Sequence, residues 1–193
     1  MSARKTLMSF VIVFALSGTM GFNNTSWAAE GVFTVNSPEI TESSFITQEQ
    51  VFAGFGCLGK NISPELKWEN VPAGTKSITV TAYDPDAPTG SGWWHWIVVN
   101  IAADSKGLAK GAGMADSKTL PEGAMQVRTD FGAPGYGGPC PPEGDHAHRY
   151  FFNVYALDVE RLDVDENAAP ALVGFYLNFH TIAKASLMGL YRR

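Results

Sequence analysis

Short apolar runs rich in β-branched and aromatic residues, each ended by Gly, Pro, Asn or Asp, recur along the chain at 32–35, 66–68, 77–83, 94–101 and 149–157. Runs of that length and punctuation predict strands, and their spacing favours an antiparallel sandwich or Greek-key arrangement. Alternation through 94–101 sets Trp94, Trp96 and Val98 on one face and His95, Ile97 and Val99 on the other, so His95 is expected to point with an apolar face. Segment 149–157 is apolar on both sides, with Tyr150, Phe152, Val154 and Ala156 opposite Phe151, Tyr155 and Leu157, as in a central strand. One helix is predicted, with Asn167 as N-cap, Pro170 in the first turn and the apolar run 171–179 as its body. Residues 183–191 either continue that helix or form a closing strand, and Gly189 favours the strand. No repeat, low-complexity tract or linker interrupts this pattern.

The apolar stretch at the start is of a different kind. Arg4 and Lys5 precede a run from Leu7 to about Phe22, followed by polar residues and by Ser26 and Ala28 at small-residue positions. That order predicts a signal peptide over residues 1–28, cut after Ala28 or, as the second choice, after Ala29. A single domain over residues 29–193 then remains, in the periplasm or secreted. The run is shorter than the ~20 residues that span a bilayer, which disfavours an uncleaved anchor. No Cys follows it for lipid attachment.

Cleavage removes Arg4 and Lys5 and no carboxylate, so the formal charge moves from −5 to −7. An acidic exported chain without a Lys/Arg cluster is a poor polyanion binder, which sets nucleic acid aside. It also disfavours broad attraction to anionic membranes. The chain has two cysteines, Cys57 and Cys140. An oxidising compartment favours a disulfide between them, with two buried thiols as the alternative.

Two clusters of unusual composition fall at strand ends. Tyr83-Asp84-Pro85-Asp86-Ala87-Pro88 leads across a Gly-rich turn to Trp93-Trp94-His95-Trp96, and Tyr136-Gly137-Gly138-Pro139-Cys140-Pro141-Pro142-Glu143-Gly144 leads to His148-Arg149-Tyr150. The prolines of the first fix a carboxylate at a strand end, where it can orient an imidazole and favour its protonated form. The glycines of the second let the backbone approach a ligand and offer its N–H groups, with His148 and Tyr150 on one strand face beside them. Singly, each residue has a plainer reading, since a lone His on an apolar face is more often a satisfied core residue and Pro/Gly runs are usually turns. His180 and Trp93, Trp94 and Trp96 are read as structural in that sense.

Taken in order, Asp84-Pro85-Asp86-Ala87-Pro88, His95, Val98-Val99-Asn100, Gly138, Pro141-Pro142, Gly144 and His148-Arg149-Tyr150 resemble the paired signatures of the phosphatidylethanolamine-binding protein family. The stretch from Asp84 to Trp96 is most similar to the bacterial Raf-kinase-inhibitor-like branch, and the resemblance runs from about Phe33 onward. It implies a mainly β fold of two antiparallel sheets with a few peripheral helices, and a small cavity that accepts phosphate, acetate or a phosphorylated head group. It implies a ligand-binding set of Asp84, Ala87, Pro88, His95, Gly138, Pro141, His148 and Tyr150, and it makes Ala87–Pro88 the place to look for a cis bond. Two departures stand out: Cys140 where many relatives have Gly, and Trp94 where eukaryotic relatives often have His.

Three functions compete at this point. The first is an exported binding module in which His95 and His148 donate to a small anion, Asp84 orients an imidazole and the Gly138 to Pro141 backbone closes the site. The second is inhibition of an extracytoplasmic protease or host protein by surface contact. The third makes His146, His148, His95 and Asp84 metal ligands or an acid/base set. It lacks any HExxH, GxSxG or activated nucleophile, so neither catalysis, nor a cofactor, nor a metal is expected.

Overall fold

The computed structural model describes residues 31–193 except Asp116, and the signal peptide expected at 1–28, with its cleavage position, lies outside the described residues. The elements in chain order are β1 Thr34–Asn36, β2 Ser44–Phe45, β3 Ala53–Gly54, β4 Cys57–Leu58, β5 Leu66–Glu69, β6 Ser77–Asp84, β7 Trp93–Ala102, β8 Gly107–Leu108, β9 Met125–Gln126, β10 His148–Leu157, α1 Pro170–His180 and β11 Thr181–Tyr191. A six-stranded sheet of order β2-β11-β10-β6-β7-β9 carries the molecule, faced by a three-stranded sheet of order β1-β5-β8. Pairing is antiparallel except between β2 and β11, which run parallel. The mainly β architecture is the one the sequence implied.

Both faces of the large sheet are covered, which is why β6, β7 and β10 read as nearly continuous apolar runs. Val80, Val98, Tyr150, Phe152 and Val154 pack with Leu66, Trp68 and Leu108 of the small sheet. On the opposite face Ile97, Val99 and Leu157 pack with Val173 and Leu177 of α1. β10 lies between β11 and β6 over its length, the central place its two apolar faces require.

Two expectations are corrected. In β7, Trp94 pairs with Tyr83 and Trp96 with Ala82, so His95 is an unpaired extra residue, a β-bulge. The bulge resets the alternation: Trp94 joins Ile97 and Val99 on the helix side, while His95 turns to the side of Trp96 and Val98, against the Tyr150 ring at 5.2 Å. The helix begins later than Asn167 suggests. Ala169, extended at φ −65° and ψ 139°, is the N-cap, with no side-chain capping bond. The ring of Pro170 disfavours helical geometry at the residue before it, so the helix starts at Pro170 itself. Thr181 closes the helix and opens β11, so 183–191 are strand.

Cys57 and Cys140 form a disulfide, their Cα atoms 6.0 Å apart across 83 residues of sequence. The bond joins β4 to the Gly/Pro-rich loop before β10. Replacing both cysteines by serine is expected to lower the free energy of unfolding by about 4.5 kcal/mol, the chain-entropy value for a loop of this length, as measured by urea denaturation under non-reducing conditions.

Candidate functional site

Asp84 ends β6, and its carboxylate organises the turn that follows. Oδ1 accepts the backbone N–H of Asp86 at 2.8 Å and of Ala87 at 3.1 Å. Oδ2 accepts from Nδ1 of His148, the first residue of β10, at 2.8 Å. The turn is thus closed by a side chain, and Ala87–Pro88 is trans, as are all the described peptide bonds; the cis bond looked for there is absent. Asp86 faces outward and takes a bidentate pair from Arg149, with Nη2 at 2.6 Å and Nε at 2.9 Å. Those bonds hold the Asp86 carboxyl down at about 2. Neighbouring carboxylates of one turn therefore clamp neighbouring residues of β10.

His148 is fully buried and has a carboxylate at each ring nitrogen: Asp84 at Nδ1, and Asp145 Oδ2 at 3.3 Å from Nε2. Burial opposes its charge, but the bonds to Asp84 and Asp145 outweigh it and raise its pKa. Asp84 and Asp145 hold the ring and favour its imidazolium form. Neither nitrogen is left free to donate to a ligand, a correction to the role expected of His148.

His95 sits differently. Its Nδ1–H donates to the Gly137 carbonyl at 2.6 Å, which leaves Nε2 for whatever lies in front of it. Burial lowers its pKa, with the Gly137 carbonyl and the charges of Asp84 and Asp130 pulling the other way. The ring is neutral near pH 7, contrary to a cation oriented by Asp84. Phe131 packs edge-on against it at 5.4 Å.

These groups border one cavity of about 170 Å³, lined by Asp84, Ala87, Pro88, His95, Pro141, His148 and Tyr150. Of the eight residues singled out from the sequence, Gly138 alone is not in the lining. Its N–H donates to Asn61 Oδ1 at 2.7 Å. A Cβ there would meet the Gln50 carbonyl at 2.0 Å, so glycine is needed for backbone packing beneath the site. Gly137 N–H donates to the His95 carbonyl. The amides of both glycines are thus spent inside the protein, which corrects the expectation of an amide cradle.

The lining also includes Phe55, Thr89, Trp93, Phe131, Cys140 and Pro142, of which only the Cys140 rim was anticipated. The disulfide brings Phe55, two residues before Cys57, to that rim. Arg193 fastens it there, donating to the Phe55 carbonyl at 3.1 Å and the Pro141 carbonyl at 2.7 Å. With the disulfide expected from the sequence, Phe55 was within reach of sequence reasoning; Phe131 carried no signal. Two buried donors on the lining, Tyr150 Oη and Trp93 Nε1, have no hydrogen-bond partner among the described residues. Burial, then the charge of the Asp84 carboxylate and its approach to the hydroxyl, push the Tyr150 phenol far up, so it stays protonated.

Residues 36–192 match the family described as phosphatidylethanolamine-binding protein. The chain belongs to that family. Within it the chain falls in the branch of two Escherichia coli K12 proteins, the Raf-kinase-inhibitor-like branch. It is 53% identical to the UPF0098 protein YbcL over 164 residues, 85% of this chain and 90% of YbcL. It is 52% identical to the UPF0098 protein YbhB over 155 residues, 80% of this chain and 97% of YbhB. The crystal structure of YbcL, presented as a new member of the mammalian PEBP family, superposes with a TM-score of 0.82 over 83% of this chain and 98% of that one. A Chlamydia trachomatis PEBP homologue at 33% identity gives 0.68, covering 83% and 97%. PEBP-family proteins are non-catalytic, and this chain is grouped with them as a non-enzyme. No described helix is long and apolar enough to cross a membrane.

Proposed function

We propose that residues 29–193, exported by the leader at 1–28, form a periplasmic or secreted binding protein whose cavity takes a small oxyanion, free or as a phosphorylated head group. The observation that carries this reading is the pair of buried donors that complete no hydrogen bond of good geometry, Tyr150 Oη and Trp93 Nε1, in the cavity lining with His95. A buried donor without an acceptor costs about 1–3 kcal/mol, and a tetrahedral oxyanion supplies several acceptors at once. The Asp84 carboxylate is taken up by the Asp86 and Ala87 amides and by His148 Nδ1–H, so it orders the wall with its oxygens already engaged. A space of about 170 Å³ compares with the roughly 150 Å³ that admits benzene. It suits a head group and excludes acyl chains. Export accords with a disulfide in an acidic chain.

Titration calorimetry tests the reading. Phosphate and phosphoethanolamine are expected to bind at one site and to compete with each other, while ethanolamine gives no heat. Absence of binding by both anions, or binding of both without competition, contradicts it.

A further inference from the structure

The cavity wall has a second side. Asp145, His146 and His148 each offer one potential ligand atom, and these atoms all lie within 4.8 Å of one another. We propose that these three residues form a site for a divalent cation of the zinc class, next to the anion cavity and sharing His148 with it.

The geometry is favourable without rearrangement of the buried ligand. His148 Nε2 and Asp145 Oδ2 lie 3.3 Å apart, and bonds of ~2.0–2.1 Å to a tetrahedral ion set neighbouring donors about 3.3 Å apart. His148 also carries the outer-shell partner that metal-bound imidazoles require. Its Nδ1–H donates to Asp84 at 2.8 Å, which fixes the ring; the ion takes the place of the Nε2 proton that otherwise faces Asp145, and that proton is released on binding. Asp84 is itself held by the Asp86 and Ala87 amides, so the support does not depend on a loose surface chain. His146 stands exposed, its ring 5.1 Å from that of His148, with Nδ1 2.8 Å from Asp145 Oδ1.

A cluster that served only to neutralise His148 would need Asp84 and Asp145 but not a second imidazole. Two imidazoles and one carboxylate are the donor set of zinc and its neighbours, whereas calcium and magnesium require a shell of oxygens. Three protein ligands leave a further coordination position open to solvent.

The test is titration of chelator-treated protein with zinc chloride. One ion per chain is expected, unaffected by excess magnesium chloride. His146→Ala and Asp145→Asn, both at solvent-facing positions, should each weaken binding by at least about tenfold. His180→Asn, which breaks a separate His–carboxylate pair with Asp158, should leave it unchanged. Cobalt(II) added in place of zinc should give the strong visible absorption of a tetrahedral site, lost in His146→Ala. Substoichiometric binding, or wild-type affinity in His146→Ala, overturns the proposal. The oxyanion reading is judged separately, by sulfate binding to the chelator-treated protein, which should persist even if zinc does not bind.

Discussion

Asp84→Ala is expected to lower the free energy of unfolding by about 3–5 kcal/mol, the range for removing one partner of a buried ion pair. The substitution strips the acceptor from the amides of Asp86 and Ala87 and leaves the buried His148 ring with only Asp145. Asp84→Asn should fall between, because its carbonyl can still accept the turn amides while its charge is gone. The loss should also depend on pH in a definite direction. His148 has a raised pKa in the folded protein, so the stability it supplies is complete below the ordinary imidazole value of 6.5 and is lost as pH climbs through the raised value. The gap between wild type and Asp84→Ala should therefore narrow in alkaline buffer. Urea denaturation at several pH values measures both effects, and a change under about 1 kcal/mol for Asp84→Ala at pH 6 would show that the carboxylate is not the hub of the turn.

His95→Gln is expected to weaken sulfate binding by roughly ten- to a hundredfold, the equivalent of one charge-assisted hydrogen bond of ~1.5–3 kcal/mol. Sulfate is the apt probe because it does not itself titrate near neutrality. Burial keeps His95 neutral in the free protein, against the opposing pull of the Gly137 carbonyl, Asp84 and Asp130. An anion at Nε2 favours the imidazolium, so binding must take up a proton. Affinity should then fall as pH rises from 6 to 8, by up to about tenfold per unit for one proton, and the profile of His95→Gln should be much flatter. Calorimetry in buffers of different ionisation enthalpy would detect the proton directly. A wild-type affinity independent of pH would mean that His95 is not the group that answers the anion.

The strands were legible from the chain because burial on both faces leaves an unmistakable mark on β6, β7 and β10. The facing of His95 was not. Period-two alternation holds only while every residue pairs, and the extra residue at His95 breaks the count with no local sequence sign. Most of the cavity lining was also readable, since Asp84 and His148 sit at the ends of strands whose extent the apolar pattern defines. What failed was the assignment of partners. Asp84 was free in sequence to serve either imidazole, and the register of β10 against β6 gives it to His148. Gly138 fits a ligand cradle by composition, but the chain that passes beneath it, Gln50 to Phe52, is distant in sequence and claims the space. Aromatic residues of the rim, Phe55 and Phe131, come from loops whose approach depends on the disulfide and on tertiary packing.

A crystal structure of the protein grown or soaked in sulfate is the most direct measurement. One sulfate is predicted within the cavity, its oxygens in hydrogen-bond reach of His95 Nε2, Tyr150 Oη and Trp93 Nε1 together. Sulfate bound only elsewhere on the protein, with those donors turned to protein acceptors, would contradict an oxyanion site at this wall.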